Sequence, residues 1–250
     1  MRNAAATLPE PQPLRPSKPL QPARAPSRPP PWQPCYRAVP SRFPPVSLFD
    51  LVAHADELQT VALIQGLSNP RLRQELGDIS LVAPHDRVAG PGSTPVMAAF
   101  THLNRAGSRF SDGSWGVYYA GDAVTTAVAE VSFHCANFLR ASQQAAIEVD
   151  YRIYVADIAQ PLHDLRAPRF APLHAPDSYA ESVALARPYR AAGSWGFLYR
   201  SVRQPSAECV ALLRPQALKL PVRQGPHITL AWDGTRISGW YQKSNLHRLG

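Results

Sequence analysis

The sequence lacks most of the signatures by which chemistry is recognised in a protein chain. Its three cysteines, Cys35, Cys135 and Cys209, stand far apart and without CxxC spacing, so they predict neither a disulfide framework nor a zinc ribbon. No two of the eight histidines have the HxxxH spacing of metal ligands. GxSxG and GxxxxGKS/T are missing too, which excludes a hydrolase elbow and a P-loop. We therefore expect no metal site and no phosphate loop.

Long apolar runs are missing as well. No stretch approaches the roughly 20 residues that span a bilayer. The first residues lack the apolar segment of about 7–15 residues found in secretory signals. An odd number of cysteines is more typical of a reducing compartment than of a secreted scaffold. The sequence thus predicts a soluble cytoplasmic protein with no membrane partner.

Proline, by contrast, is abundant, and its distribution predicts the domain organisation. The chain has 27 prolines in 250 residues, about twice the usual share of ~5%. Eleven of them fall in residues 1–34, among few apolar side chains. Such a segment cannot bury enough surface to fold. We predict a disordered, proline-rich, basic tail over 1–34 and one folded domain over 35–250.

The net charge is +8, which raises the question of nucleic-acid binding. The predicted tail has five basic residues against Glu10, so it carries +4 and the remaining residues carry the other +4. A basic tail joined to a weakly basic domain does not predict a protein surface that binds nucleic acid. Nucleic-acid binding through the tail is kept as a minor alternative.

Periodicity and turn residues predict helices that concentrate early in the chain and strands that concentrate late. This order is typical of an α+β domain rather than of an alternating α/β sheet. Helices are predicted over 50–65 (with Asp50 as its cap), 69–76, 96–103, 123–139 and 176–191, and strands over 35–39, 115–120, 145–156, 194–199, 209–213, 227–231 and 237–241.

One carboxylate stands out on the predicted helix 123–139. Glu130 is the sole acid between Asp122 and Glu148, and its neighbours are mostly apolar. An acid in such surroundings either lies on the outer face of the helix or is buried with a partner, and the spacing does not decide between the two.

The predicted aromatic strand and the arginines leave further alternatives open. Tyr118 and Tyr119 must face opposite sides of their strand, so only one of them can contribute to a site. Arg37 and Arg109 could form surface ion pairs with acids such as Asp112 or Asp50.

Three blocks of the sequence resemble the RES domain family. Residues 100–130 contain GSRFSDGSWGVYYA followed by TAVAE, residues 193–203 read GSWGFLYRSVR, and residues 36–43 read YRAVPSRF. The resemblance covers roughly 35–215. The family takes its name from its functional arginine, glutamate and serine.

The resemblance implies a fold similar to that of ADP-ribosyltransferase toxins, and the toxin role of RES–Xre toxin–antitoxin pairs. Family members degrade NAD by phosphorolysis or hydrolysis, and some transfer ADP-ribose to a protein. For this chain it implies NAD as a substrate, no cofactor, and inorganic phosphate as one candidate co-substrate. It also implies an Xre-type helix-turn-helix antitoxin, through which nucleic acid would be reached. ADP-ribosyl transfer is the alternative activity.

The resemblance assigns catalysis to Glu130, Arg109 and Ser201, and NAD binding to Arg37, Arg109, Tyr119 and Ser201. Glu130 would accept a hydrogen bond from the ribose 2′-hydroxyl and stabilise the positive charge of an oxocarbenium-like state. The arginines would grip the diphosphate, or one of them the attacking phosphate. Tyr119 would stack on nicotinamide and Ser201 would orient the ring or ribose. Further basic candidates are Arg42 and Arg203, and the histidines 102 and 134 are expected to be structural.

Overall fold

The computed structural model describes residues 25–41, 48–51, 54–58, 60 and 77–244. Its strands are β1 (Ser27–Arg28), β2 (Cys35–Pro40), β3 (Tyr118–Gly121), β4 (Ile147–Ile158), β5 (Leu162–Asp164), β6 (Gly196–Arg200), β7 (Glu208–Leu212), β8 (Leu218–Trp232) and β9 (Ile237–Gln242). Its α-helices are α1 (Leu48–Leu51), α2 (Thr94–Thr101), α3 (Val124–Ala141) and α4 (Ala180–Ala191). Short 3-10 turns cover Ala55–Glu57, Ile79–Leu81, Pro84–Asp86, Pro168–His174 and Pro215–Ala217.

The strands of the described residues form one sheet in the order β1-β5-β6-β7-β3-β2-β4-β8-β9. All neighbours pair antiparallel except β5 and β6, which run parallel. Helices pack on a mostly antiparallel sheet, which is the α+β arrangement. The predicted fold class is confirmed.

Alternation along the strands divides the side chains between the two faces of the sheet. On one face, Cys35, Tyr118 and Leu212 join a core that includes α2. On the other face α3 covers β2, β4 and β8, while Phe197 and Tyr199 form a separate cluster beside it. Helix α3 is held there by an apolar stripe at helical spacing (Val124, Val128, Val131, Cys135 and Leu139).

Residues 25–34 are part of the fold, which corrects the predicted boundary at residue 34. Strand β1 pairs with β5, and the amide of Ala25 donates to Tyr189 Oη at 3.0 Å. Trp32 Nε1 donates to Glu208 Oε2 at 2.7 Å. A partly buried tryptophan and a strand pairing hold this segment on the sheet, which proline content alone does not reveal. Residues 1–24 lie outside the described residues, so the prediction of disorder there stays a prediction.

Several element predictions differ from the structure in extent. The strand predicted at 227–231 is the end of β8, which runs from Leu218 to Trp232. Strands β1 and β5 are too short to give a pattern and were not predicted. Within the predicted helix 50–65, the described residues are helical at 50–51, 55–58 and 60, and the other half of that segment, apart from the bend at His54, lies outside the described residues, as does the whole of 69–76.

Asp50 caps a different helix from the predicted one. It lies inside α1, and its carboxylate accepts from the amide of Thr94 at 2.8 Å and from its hydroxyl at 2.7 Å. Asp50 therefore satisfies the free amide at the start of α2, a long-range cap that spacing along the chain cannot show. Among the described residues no helix is long and apolar enough to cross a membrane.

Candidate active site

Glu130 and Ser201 meet between α3 and the loop that joins β6 to β7. Ser201 Oγ donates to Glu130 Oε1 at 2.6 Å, and the amide of Val202 donates to the same oxygen at 3.3 Å. The Cys209 thiol points at this oxygen from 3.8 Å. The glutamate is half-buried and has hydrogen-bond partners, so it is neither a free surface acid nor a fully buried one.

The position of Glu130 follows from the helix. With about 100° between successive residues, position 130 points well away from the apolar stripe that packs α3 on the sheet. It faces the loop after β6 instead. The carboxylate is thereby fixed to a rigid element whose opposite side is buried.

Ser201 is fixed by its own turn. Its amide donates to Ala207 O at 2.9 Å, and its Oγ accepts from the amides of Arg203 at 3.2 Å and Gln204 at 2.9 Å. A hydroxyl has one proton to donate. Since both backbone contacts use Oγ as an acceptor, that proton is directed at Glu130.

Buried groups beneath the carboxylate are held in their neutral forms. Burial raises the pKa of the Cys209 thiol well above its usual range, and the charge of Glu130 raises it further. Burial likewise raises the pKa of Tyr199, and the charge of Glu130 adds to the effect. The floor of the site is therefore an uncharged layer, in which the charge of Glu130 is weakly screened.

Tyr119 lies on the same side of the sheet as Cys209, whereas Tyr118 lies on the other side. The Tyr119 hydroxyl is 2.8 Å from Ser108 Oγ and accepts from the amide of Phe110 at 2.9 Å. Burial raises the pKa of Tyr119 to about 12. The phenol is thus a fixed, neutral wall group, and its hydroxyl holds the segment before β3 in place.

Arg109 is 7% exposed and is committed to backbone carbonyls. Its Nη1 donates to Leu173 O at 2.9 Å and to Ala175 O at 3.0 Å, and its guanidinium stacks at 5.0 Å on Tyr179. Asp112 pairs with Arg187 instead. The suggested surface pair of Arg109 with Asp112 is therefore wrong.

Arg37 lies on the opposite face of the sheet from Glu130. It shares its side of β2 with Cys35, and its guanidinium stacks at 4.7 Å on the ring of Tyr118. Nη1 donates to Tyr119 O at 3.1 Å, and the buried Nε has no hydrogen-bond partner among the described residues. Burial lowers the pKa of Arg37. The structure thus places Arg37 directly behind Tyr119, and not in contact with Glu130 or Ser201.

A wall formed by residues 168–176 was not predicted. His174 accepts from the amide of Arg200 at 3.1 Å through Nε2, and its Nδ1 lies 3.0 Å from Phe170 O, an acceptor, so Nδ1 carries the proton. Burial and the charges of Arg109 and Arg200 lower the pKa of His174. Neither periodicity nor a motif marks this proline-rich stretch, because its role depends on arginines distant in sequence.

Arg203 closes the rim of the site. Its guanidinium lies 3.3 Å from the ring centroid of Phe133, and Nη2 donates to Pro176 O at 2.6 Å. Burial lowers the pKa of His134, Glu130 opposes this, and Arg203 and Arg109 lower it further. The charges of both arginines therefore act on His134, which lies about one turn of α3 after Glu130. Arg42 lies outside the described residues.

Metal-ligand clusters are not found in the described part of the chain: no group of three or more His, Cys, Asp or Glu could hold an ion. The site is instead a carboxylate–hydroxyl centre formed by Glu130 and Ser201, with Arg203 at its rim.

The chain belongs to the RES domain family, whose model matches residues 84–233. It is similar to a Sinorhizobium fredii protein (strain NBRC 101917 / NGR234) described as uncharacterised protein y4oC, with 30% identity over 212 residues, 82% of this chain and 86% of that one. Among solved structures, the crystal structure of the M. tuberculosis MbcT–MbcA toxin–antitoxin complex matches with a TM-score of 0.44 and 13% identity, covering 85% of this chain and 89% of that one.

Proposed function

We propose that this chain cleaves the bond between nicotinamide and ribose in NAD. The observation that carries the proposal is the fixed carboxylate of Glu130. Its three described contacts all use Oε1, with Ser201, Val202 and Cys209. Oε2 is therefore available to accept the ribose 2′-hydroxyl, which family membership suggests as its partner.

The chemistry requires few other groups. When the C1′–N bond breaks, its electron pair leaves with nicotinamide, which is neutral, so no acid need protonate it. Positive charge develops on the ribose, as in glycoside cleavage. A carboxylate already held in place stabilises that charge without reorganising during the reaction. Water or inorganic phosphate then adds to C1′ and gives ADP-ribose or its 1-phosphate, with loss of one proton from the attacking group.

The arginines supply positive charge for the phosphates. Arg37 is a cation whose buried Nε has no partner among the described residues, and burial lowers its pKa. An anionic ligand would satisfy this Nε. Arg109 is held more tightly, so we assign it a mainly positioning role for the 168–176 wall while its charge acts on the site.

Membership of the RES family also supports a biological role. We propose that the chain is the toxin of a toxin–antitoxin pair, acts in the cytoplasm by depleting NAD, and is neutralised by an Xre-type antitoxin. Expression of the chain alone should arrest growth and lower cellular NAD. Co-expression of an Xre-type antitoxin that binds the chain should restore both. Arrest with unchanged NAD would contradict the proposed link.

The enzymatic test is incubation of purified protein with NAD, with and without phosphate, and quantification of NAD, nicotinamide and the ribose product. We expect nicotinamide to appear in equal amount to the NAD lost. ADP-ribose identifies hydrolysis, its 1-phosphate identifies phosphorolysis, and label retained on a protein identifies ADP-ribosyl transfer. NAD that stays intact in both buffers would overturn the proposal.

A further inference from the structure

A cavity of about 420 Å³ lies beside α3, between that helix, strand β9 and the loop after β6. Its wall includes the indole of Trp240, which is 41% exposed. Hydroxyl groups of Thr125, Ser132 and Ser238 and the residue Gln204 complete the polar part of the lining. The volume falls within the roughly 300–1,000 Å³ of small-molecule sites.

The loop after β6 connects this cavity to the proposed catalytic centre. The amide of Gln204, at the cavity, donates at 2.9 Å to Ser201 Oγ, which in turn donates to Glu130. Ser201 and Gln204 are three positions apart, so their Cα atoms lie within about 11 Å of each other. A dinucleotide whose ribose lies at Glu130 can therefore place its other end in the cavity.

The guanidinium of Arg203 lies between the cavity and the proposed catalytic centre. Arg203 packs on Phe133 of α3, one position before Gln204 in the loop. Around α3, position 133 falls between positions 130 and 129 when successive residues turn by about 100°. Carboxylate, guanidinium and cavity thus follow one another around the outer surface of the helix.

The chemistry of the cavity suits a purine base. A half-exposed indole offers a flat surface for stacking, and every nucleobase has a matching π-face. Hydroxyl and amide groups at the edge can pair with ring nitrogens and an exocyclic amine. The described residues of the lining include no charged side chain, which suits the neutral adenine rather than a phosphate.

We propose that this cavity binds the adenine end of the dinucleotide, with Trp240 stacked on the base and Arg203 beside the phosphates. The inference rests on the proposed function for its physiological ligand. Adenine binding can nevertheless be measured without catalysis, so the two fail separately.

The direct test is calorimetric titration of the full chain with AMP, which has no nicotinamide bond to cleave. Trp240→Ala should weaken AMP binding about ten-fold or more, given the usual contribution of base stacking, and Trp240→Phe should restore most of it. The matched control is Tyr241→Ala, since Tyr241 is the next residue in β9, is 45% exposed and is not part of the cavity lining. It should leave AMP binding unchanged. Circular dichroism and thermal midpoints check that all variants fold.

The kinetic test compares NAD with nicotinamide mononucleotide, which lacks the adenylate. Trp240→Ala should raise KM for NAD about ten-fold with kcat nearly unchanged, and should not change the kinetics of the mononucleotide. Wild-type protein that does not bind AMP, or a Trp240→Ala variant that binds it equally well, overturns the inference. Equal losses for both substrates overturn it too. If neither substrate is cleaved but AMP binding depends on Trp240, the proposed reaction is wrong and the adenine site stands.

Discussion

The polar groups on the two sides of strand β3 differ in how completely they are hydrogen-bonded. On the side of Tyr119, the tyrosine hydroxyl, Ser201 and Glu130 are held by short hydrogen bonds, and Arg109 donates to two carbonyls. On the side of Tyr118, that residue's hydroxyl and Arg37 Nε are buried without partners among the described residues.

Unpartnered buried groups cost free energy, whereas satisfied ones give rigidity. The difference suggests a division of labour: the Tyr119 side is built in advance for chemistry, and the Tyr118 side is completed by an anionic ligand. Substitutions on the two sides should therefore have different consequences.

The largest effect is expected from Glu130→Gln, which should lower kcat about 10²–10³-fold. Glutamine keeps the oxygen that accepts from Ser201, so the fold should persist, but it cannot stabilise positive charge. The measurement is the rate of nicotinamide release. Glu181→Gln, an exposed acid in the first turn of α4, serves as the control and should keep full activity. A Glu130→Gln variant with wild-type kcat would show that the carboxylate on the Tyr119 side takes no part in catalysis.

Replacing one arginine with methionine on each side tests how much each arginine contributes to the free energy of unfolding. Arg109→Met should lower the free energy of unfolding by about 2–3 kcal/mol, because the carbonyls of Leu173 and Ala175 lose their donor. Arg37→Met should cost at most about 1 kcal/mol, since it also removes an unpartnered Nε. Urea unfolding of the ligand-free proteins measures both values. Equal losses would show that Arg37 is satisfied as well as Arg109.

Removal of single hydroxyls sharpens the same contrast on a smaller scale. Tyr119→Phe should lower stability by about 1 kcal/mol, because Ser108 and the amide of Phe110 lose a partner. Tyr118→Phe should be neutral or stabilising, because the hydroxyl it removes is buried without one. The thermal midpoints of the two variants report the difference, and the reverse ranking would contradict the assignment of the two sides.

The smallest effect concerns pH. The pKa of His174 is lowered from 6.5, chiefly by burial. As pH falls through 6.5 the unfolded chain takes up a proton that the folded chain resists, so stability falls with pH. His174→Gln should reduce this loss by less than about 1 kcal/mol between about pH 7.5 and 5.5. His134, whose pKa is also lowered, retains its own share. A variant with unchanged pH dependence would show that His174 does not contribute.

The fold class was accessible from the sequence, whereas the candidate site residues were assigned through the family resemblance. The order of the predicted helices and strands alone indicates an α+β domain. Spacing showed Glu130 only as an unusual acid, and the family blocks were needed to pair it with Ser201, 71 residues away. Local patterns carry no information about such contacts.

Other features could not be predicted because they depend on distant partners. Residues 25–34 look like the rest of the proline-rich tail, yet Trp32 and β1 pack on the sheet. Arg109 and Arg37 are equally plausible phosphate ligands in sequence, and only the structure separates a guanidinium fixed by carbonyls from one whose Nε has no partner among the described residues. The cavity at Trp240 arises where β9 approaches the loop after β6, which no motif marks.

The comparison of the two sides is tested most directly by steady-state kinetics of NAD cleavage for Glu130→Gln and Arg37→Gln, measured side by side. Glu130→Gln should lose kcat while retaining a KM near that of the wild type, and Arg37→Gln should raise KM for NAD or for phosphate with a smaller change in kcat. Loss of kcat in Arg37→Gln alone, with Glu130→Gln fully active, would contradict the assignment of the chemistry to the Glu130–Ser201 centre.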